Sequence, residues 1–237
     1  MLRRLARNLY DTAAAWYLAP LLRREWMRSG DIGINERPIE YAFALRWLWR
    51  LCPASVLDVG TGKSSWPHLV ASCGFHVTAT DQKGSYWTDG PLLNRHYHVV
   101  TDDITHTRLS GPHDLITCLS VVEHIDNHAD AVRSMLRLLS KGGHLLMTFP
   151  YNECTSVDDA YRLPESGYGR DLPSKLHVFC REEIDAWFAD EGAHIVDQEY
   201  YELFTGELFT VGRRLRPPRK VGRTERHHLM CLLVQHQ

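Results

Sequence analysis

Two acids and two glycines, Asp58, Gly60, Gly62 and Asp81, are the residues whose types and spacing first point to chemistry. Val56-Leu57-Asp58-Val59 is an apolar run broken by one acid and set between Pro53 and Gly60. That is the pattern of a buried parallel strand ending in a tight turn. Gly60 and Gly62 lack side chains that would block a ligand approaching the backbone of the turn. A helix opened by Lys63-Ser64-Ser65 would point its unpaired N–H groups at the same ligand. Asp58, at the carboxyl end of the strand, can accept hydrogen bonds from a cationic or hydroxyl-bearing group. A second strand, residues 76–80, ends in Asp81 about twenty residues after the glycine turn. Nucleotide-binding α/β folds place there a carboxylate that accepts ribose hydroxyls.

Three further features follow in order. Asp103-Ile104 closes a short third strand that begins at His98-Val99-Val100, and Asp114–Ser120 is a fourth strand running into Val121-Val122-Glu123-His124. Residues 139–150 hold a helix end, a Gly142-Gly143 turn and a fifth strand. Over residues 54–200 this order of motifs resembles the class I S-adenosylmethionine (SAM)-dependent methyltransferases of the small-molecule type. The resemblance implies an α/β, Rossmann-like fold with a seven-stranded, mostly parallel sheet whose last strand is antiparallel. It implies SAM as cofactor, held by Asp58, Gly60, Gly62, Asp81, Gln82, Asp103, Ile104 and Ser120. Asp103 would contact the adenine amino group and Ile104 cover the ring. The segment Glu36–Tyr41 also resembles one in bacterial members, which brings Glu40 and Tyr41 to the cofactor or substrate side. As bare residues these two read equally as a solvated charge and a core-edge tyrosine.

Transfer of a sulfonium-activated methyl group asks the protein mainly for positioning, plus a base if the acceptor is a hydroxyl. Of the fourteen histidines, the resemblance puts His124 and His177 at the rim of the active site, as candidate catalytic residues. Small-RNA 2′-O-methyltransferases and some quinone O-methyltransferases carry Glu-x-x-Glu-His at this point, where they bind a metal. Here the five are Ser120-Val121-Val122-Glu123-His124, with Ser120 in place of the first carboxylate, so no metal is expected.

The elements that position these residues fit one domain over residues 1–237. Residues 1–51 read as an N-terminal helical cap, with apolar residues at helical spacing over 2–28, a break at Pro20, and a second helix after Pro38. The apolar stretch 13–22 is closed by Arg23-Arg24-Glu25, too short to span a bilayer and without a cleavage site, so no transmembrane segment is expected. After the SAM-binding core of 54–200 come two strands, 195–203 and 229–234, joined by a basic loop, 206–226, that contains Pro217-Pro218 and seven Arg and Lys residues from Arg213 to Arg226. Residues 151–173 form a polar loop after the fifth strand, where α/β enzymes place substrate contacts.

A hydrophobic fraction of 44%, a charged fraction of 24% and a net charge of −2 are those of an ordinary globular domain, with no global attraction to nucleic acid or anionic membranes. The six cysteines form no C-x-x-C pair and read as reduced core residues of a cytoplasmic protein. The reading is therefore a SAM-dependent methyltransferase acting on a small-molecule or sugar-like acceptor, at oxygen. Two alternatives are weighed against it. An RNA-modifying methyltransferase would use the basic segment, which would equally suit an anionic acceptor; the low net charge and lack of an appended RNA-binding module argue against RNA. A methyltransferase-like binding protein is disfavoured by the complete Gly60, Gly62, Asp81 set. A dehydrogenase would need a third glycine where Ser65 stands.

Overall fold

The computed structural model describes residues 2–29, 35–62, 64–82, 98–189 and 191–237. They divide into two compact units, Met1–Pro38 and Ile39–Gln237. The first is built on one helix, α1 (Leu2–Ser29), which runs through Pro20 rather than breaking there. A proline inside a helix costs a backbone hydrogen bond and a clash one turn back, and the turns on either side sustain α1 across it. Leu5, Leu9, Tyr10, Trp16 and Tyr17 are exposed. No helix among the described residues is long and apolar enough to cross a membrane.

The second unit is a single twisted sheet with helices on both faces. Its strands are β1 (Val56–Val59), β2 (Val77–Asp81), β3 (Val99–Thr101), β4 (His113–Leu119), β5 (Leu139–Pro150), β6 (Ala193–Phe204), β7 (Arg214–Val221) and β8 (Leu229–His236). They lie in the order β3-β2-β1-β4-β5-β8-β6-β7. The pairs among β1 to β5 are all parallel, whereas β8 runs antiparallel to β5 and β6, and β7 antiparallel to β6. The sheet thus has eight strands where seven are expected. The added strand, β7, lies inside the stretch 206–226 that the charges and prolines suggest is a loop. Its register sets Arg219 opposite Glu202, a pair of opposite charges across the two strands, and Lys220 opposite Tyr201, from where it reaches Glu199. Pro217 and Pro218 are tolerated because β7 is an edge strand with one unpaired side.

Alternation along the central strands divides their side chains between two cores. Leu57, Val59, Ile116, Cys118, Leu145, Met147, Phe149, Met230 and Leu232 join one face, packed by α4 (His128–Arg137) and α5 (Arg181–Phe188). Val56, Leu115, Leu119, Leu146, Leu229, Cys231 and Leu233 join the other, with Phe43, Ala44 and Leu48 of α2 (Arg37–Leu51) and Trp66 and Val70 of α3 (Trp66–Ser72). Of the cysteines, Cys118, Cys180 and Cys231 are buried as expected, but Cys52, Cys73 and Cys154 are exposed. Lys63 and residues 83–97 of the connection after β2 lie outside the described residues.

Candidate cofactor and acceptor site

The expected cofactor residues gather along one edge of the sheet, at the carboxyl ends of β1 to β4. Gly60 and Gly62 both take left-handed backbone, at φ 71° and 54°. A Cβ on Gly60 would overlap the Val121 side chain, so the turn after β1 closes tightly only without one. The Gly62 N–H donates to Asp81 Oδ2 at 2.7 Å, joining the glycine turn to the acid at the end of β2. Asp58 is buried and accepts from the Thr117 hydroxyl at 2.7 Å, while Thr117 accepts from the Trp66 indole N–H at 3.2 Å. Asp103 uses Oδ1 to cap the short 3-10 turn of residues 104–106 through the Thr105 N–H, and Oδ2 to accept from Gln82 at 3.1 Å. Ile104 is buried beside it.

Ser120 stands at φ 50°, an uncommon conformation for a residue with a side chain. Its N–H donates to the Thr148 carbonyl at 3.0 Å and its hydroxyl to Glu40. Thr148 also donates to Glu40, at 2.7 Å. Glu40 is fully buried, not a solvated surface charge, and brings the first turn of α2 to the ends of β4 and β5. The Tyr41 and Ser64 hydroxyls lie 2.9 Å apart. Two buried carboxyl groups thus stand at this end of the sheet, Asp58 in β1 and Glu40 against the ends of β4 and β5, and an ionised carboxyl there suits a cationic ligand. With Asp81 and Asp103 as acceptors farther along the edge, the acceptor set fits a nucleoside that carries a sulfonium and an ammonium group.

The histidines follow different courses. His124 ends the 3-10 turn after β4, and its Nδ1 lies 2.5 Å from the Lys175 carbonyl. A carbonyl only accepts, so Nδ1 carries a proton and donates it to Lys175. The His177 N–H donates to the Glu123 carbonyl at 2.9 Å, which fastens it next to His124 in the backbone. Its ring turns instead to α5, where Nε2 is 2.9 Å from Glu183 and 3.2 Å from the Ser156 hydroxyl. Burial pushes the Glu183 carboxyl up, but hydrogen bonds from the Cys180 N–H and Ser156, with the charge of the His177 ring, outweigh it and hold it below the usual range. His128 completes the group. Its Nδ1 accepts from the Trp187 indole at 3.3 Å, and burial, then the nearby His177, lower its pKa. Among the described residues His128, His177 and Glu183 bring three ligand-type atoms within 4.8 Å of one another, with a hydrogen bond between His177 and Glu183. Neither His128 nor Glu183 stands out in the sequence; only the fold brings them to His177.

A Rossmann-like sheet with carboxylates at the ends of β1 to β3 and a glycine turn between them defines a nucleotide-cofactor α/β enzyme. Residues 32–198 match the family model described as "Methyltransferase domain", and the chain belongs to that family. It is a SAM-dependent methyltransferase, as the ordered motifs imply. A ubiquinone biosynthesis O-methyltransferase of Albidiferax ferrireducens is 27% identical over 145 residues, a match that spans 56% of this chain and 56% of that protein. One of Pseudomonas paraeruginosa is 26% identical over 196 residues, or 75% of this chain and 81% of the relative. The fold is similar to that of 1,6-didemethyltoxoflavin-N1-methyltransferase from Burkholderia thailandensis, solved with that compound and S-adenosylhomocysteine. The two share a TM-score of 0.56 and 18% identity over 93% of this chain and 89% of the other.

Proposed function

We propose that the protein transfers the methyl group of SAM to a hydroxyl of a small molecule, with His124 as the base. The observation that carries this reading is the place of His124 at the end of β4, where the Lys175 carbonyl holds its ring. That carbonyl accepts a hydrogen bond from Nδ1 and so fixes the orientation of the ring. SAM, when bound, supplies a methyl group already activated for displacement. Asp81 holds the ribose hydroxyls, Asp103 and Ile104 the adenine, and Glu40 and Asp58 offset the positive charge. His177 is a positioning residue, tied by Glu183 to the start of α5 and by its N–H to the segment that carries His124. The names of the curated relatives support oxygen as the acceptor atom.

The basic segment lends RNA as the acceptor less support than its charges suggest, since four of its seven Arg and Lys residues are paired. Arg219 and Arg226 pair with Glu202, Lys220 with Glu199, and Arg223 with Glu153, so these charges are answered within the protein. The same pairs weaken the case for an anionic acceptor. Calorimetric titration with SAM tests the cofactor, and transfer of labelled methyl from SAM to a panel of phenols, catechols and sugars tests the acceptor. Absence of SAM binding by the folded protein ends this reading, and labelling confined to amines or thiols moves the reaction off oxygen.

A further inference from the structure

Past the end of β5 lies a cavity of about 480 Å³, lined by Asn152, Glu153, Cys154, Arg223, Arg226 and His227 among others. Pro150 pairs with Leu229, so the segment after β5 and the segment before β8 leave the sheet at the same edge. Ser120 leaves β4 at that edge too, since Leu119 pairs with Thr148. With strands about 4.8 Å apart and a rise of about 3.3 Å per residue, the two-residue extension of β5 past Thr148 sets the ends of β5 and β8 roughly 8 and 12 Å from that of β4. The segments that line the cavity therefore leave the sheet at the edge that carries the cofactor residues and His124.

His227 is only 4% exposed. Its Nδ1 donates to the Glu225 carbonyl at 2.7 Å, which leaves the lone pair on Nε2. The ring stacks on Tyr151, with centroids 5.3 Å apart and planes 9° from parallel, and leans on Tyr200 at 4.8 Å. Buried Nε2 has no hydrogen-bond partner among the described residues. A buried acceptor left unmatched is costly, and its natural complement is an O–H or N–H donor. The cavity's arginines do not call for an anion. Arg223 is paired with Glu153, and Arg226 with Glu202 and Glu207.

We propose that this cavity holds the methyl acceptor and that His227 Nε2 accepts a hydrogen bond from a hydroxyl of a neutral, hydroxyl-bearing small molecule. The assignment deepens the O-methyltransferase reading and rests on it. His227 would select acceptors that present a donor, while the proton removed in the reaction goes to His124. Burial holds the His227 ring below the ordinary histidine pKa, against the pull of its bond to Glu225, so the lone pair is kept near neutral pH.

The test is a titration of the full chain followed through the ring nitrogens of its histidines by 15N NMR. The probes are phenol, catechol and methyl glucoside at millimolar concentrations, each against its fully O-methylated counterpart. The His227 Nε2 resonance should move with at least one protic probe and stay still with its methylated partner. His227→Phe keeps an aromatic stack and removes the lone pair; it should weaken that probe about ten-fold or more and leave S-adenosylhomocysteine affinity unchanged. A second measurement needs no change at His227. In a Cys52→Ser/Cys73→Ser background, which removes the other exposed cysteines, the same probe should slow alkylation of Cys154 by iodoacetamide. A resonance that ignores every protic probe, or follows the methylated partners equally, overturns the proposal. So does unprotected Cys154, or undiminished probe affinity in folded His227→Phe. No readout requires turnover, so failure of the methyltransfer reading in the SAM titration is seen separately.

Discussion

The ring of His124 is held by the main-chain carbonyl of Lys175, 2.5 Å from Nδ1, and through it the end of β4 is tied to the loop after β5. This bond needs no side chain at position 175, so it survives substitution of the lysine. His124→Ala is expected to lower kcat by about 10²-fold or more with little change in S-adenosylhomocysteine affinity, the loss typical of a general base. Lys175→Ala should keep most activity. Steady-state kinetics with calorimetry separate the two, and an active His124→Ala enzyme would reduce the mechanism to positioning.

Asp81 receives the Gly62 N–H and is expected to receive the ribose hydroxyls as well. Asp81→Ala should weaken SAM by ~1.5–3 kcal/mol, the loss of two hydrogen bonds to a charged acceptor. It should do so more than the same change at Asp103, whose Oδ1 already caps a turn. Calorimetry on both variants decides the order.

A metal is not expected to be needed. Ser120, where related metal-dependent enzymes have a carboxylate, spends its hydroxyl on Glu40. Turnover should be unchanged by EDTA. Loss on chelation, restored by Mg²⁺ or Zn²⁺, would direct attention to Glu123 and His124, or to His128, His177 and Glu183.

Acid should loosen the β6–β7 edge before the rest of the sheet. Burial pushes the Glu202 carboxyl up, but Arg219 and Arg226 outweigh it, and Lys220, Tyr201 and Arg46 do the same for Glu199. Both folded carboxyls therefore lie below the ordinary 4.5, and the unfolded chain binds more protons as pH falls. Their contribution is fully present above about pH 4.5 and is lost below it. In Glu202→Gln the acid-unfolding curve should flatten, and stability at pH 7 should drop by only about 1–3 kcal/mol because Arg219 and Arg226 reach solvent. Denaturant unfolding at several pH values measures both.

The parts of the fold that were legible in the sequence are those with local signatures. Val56–Val59 and the two glycines announce a strand and a turn, and the acids after β2 and β3 sit where the spacing places them. The second helix and the last apolar strand follow from apolar pattern and order, and the antiparallel course of that strand from the family resemblance. β7 was not legible, because Arg219 and Lys220 look like solvated charges until Glu199 and Glu202 of β6 are brought within their reach. The continuity of α1 through Pro20 was hidden for a related reason: a proline's cost is visible in the sequence, whereas what offsets it is not. Glu40 was half legible, since its place in a resembling segment is local but its burial against Ser120 and Thr148 is not. His227 offers no sequence signal at all; its isolation is created by Tyr151, Tyr200 and a turn at Glu225.

The place of β8 bears on how the protein is made. It follows every other strand in the chain yet lies inside the sheet, with β5 on one side and β6 on the other. As the chain leaves the ribosome, the β6–β7 hairpin is born with no sheet to join and must wait, with one edge of β6 open, until residues 229–236 emerge. The parallel half, β1 to β5, can assemble earlier but presents β5 as a bare edge meanwhile. Both edges are templates for pairing with other chains. The step that closes them is the insertion of one apolar ribbon between two waiting halves, so a chaperone or a slow stretch of translation would act most usefully just before Leu229 is made.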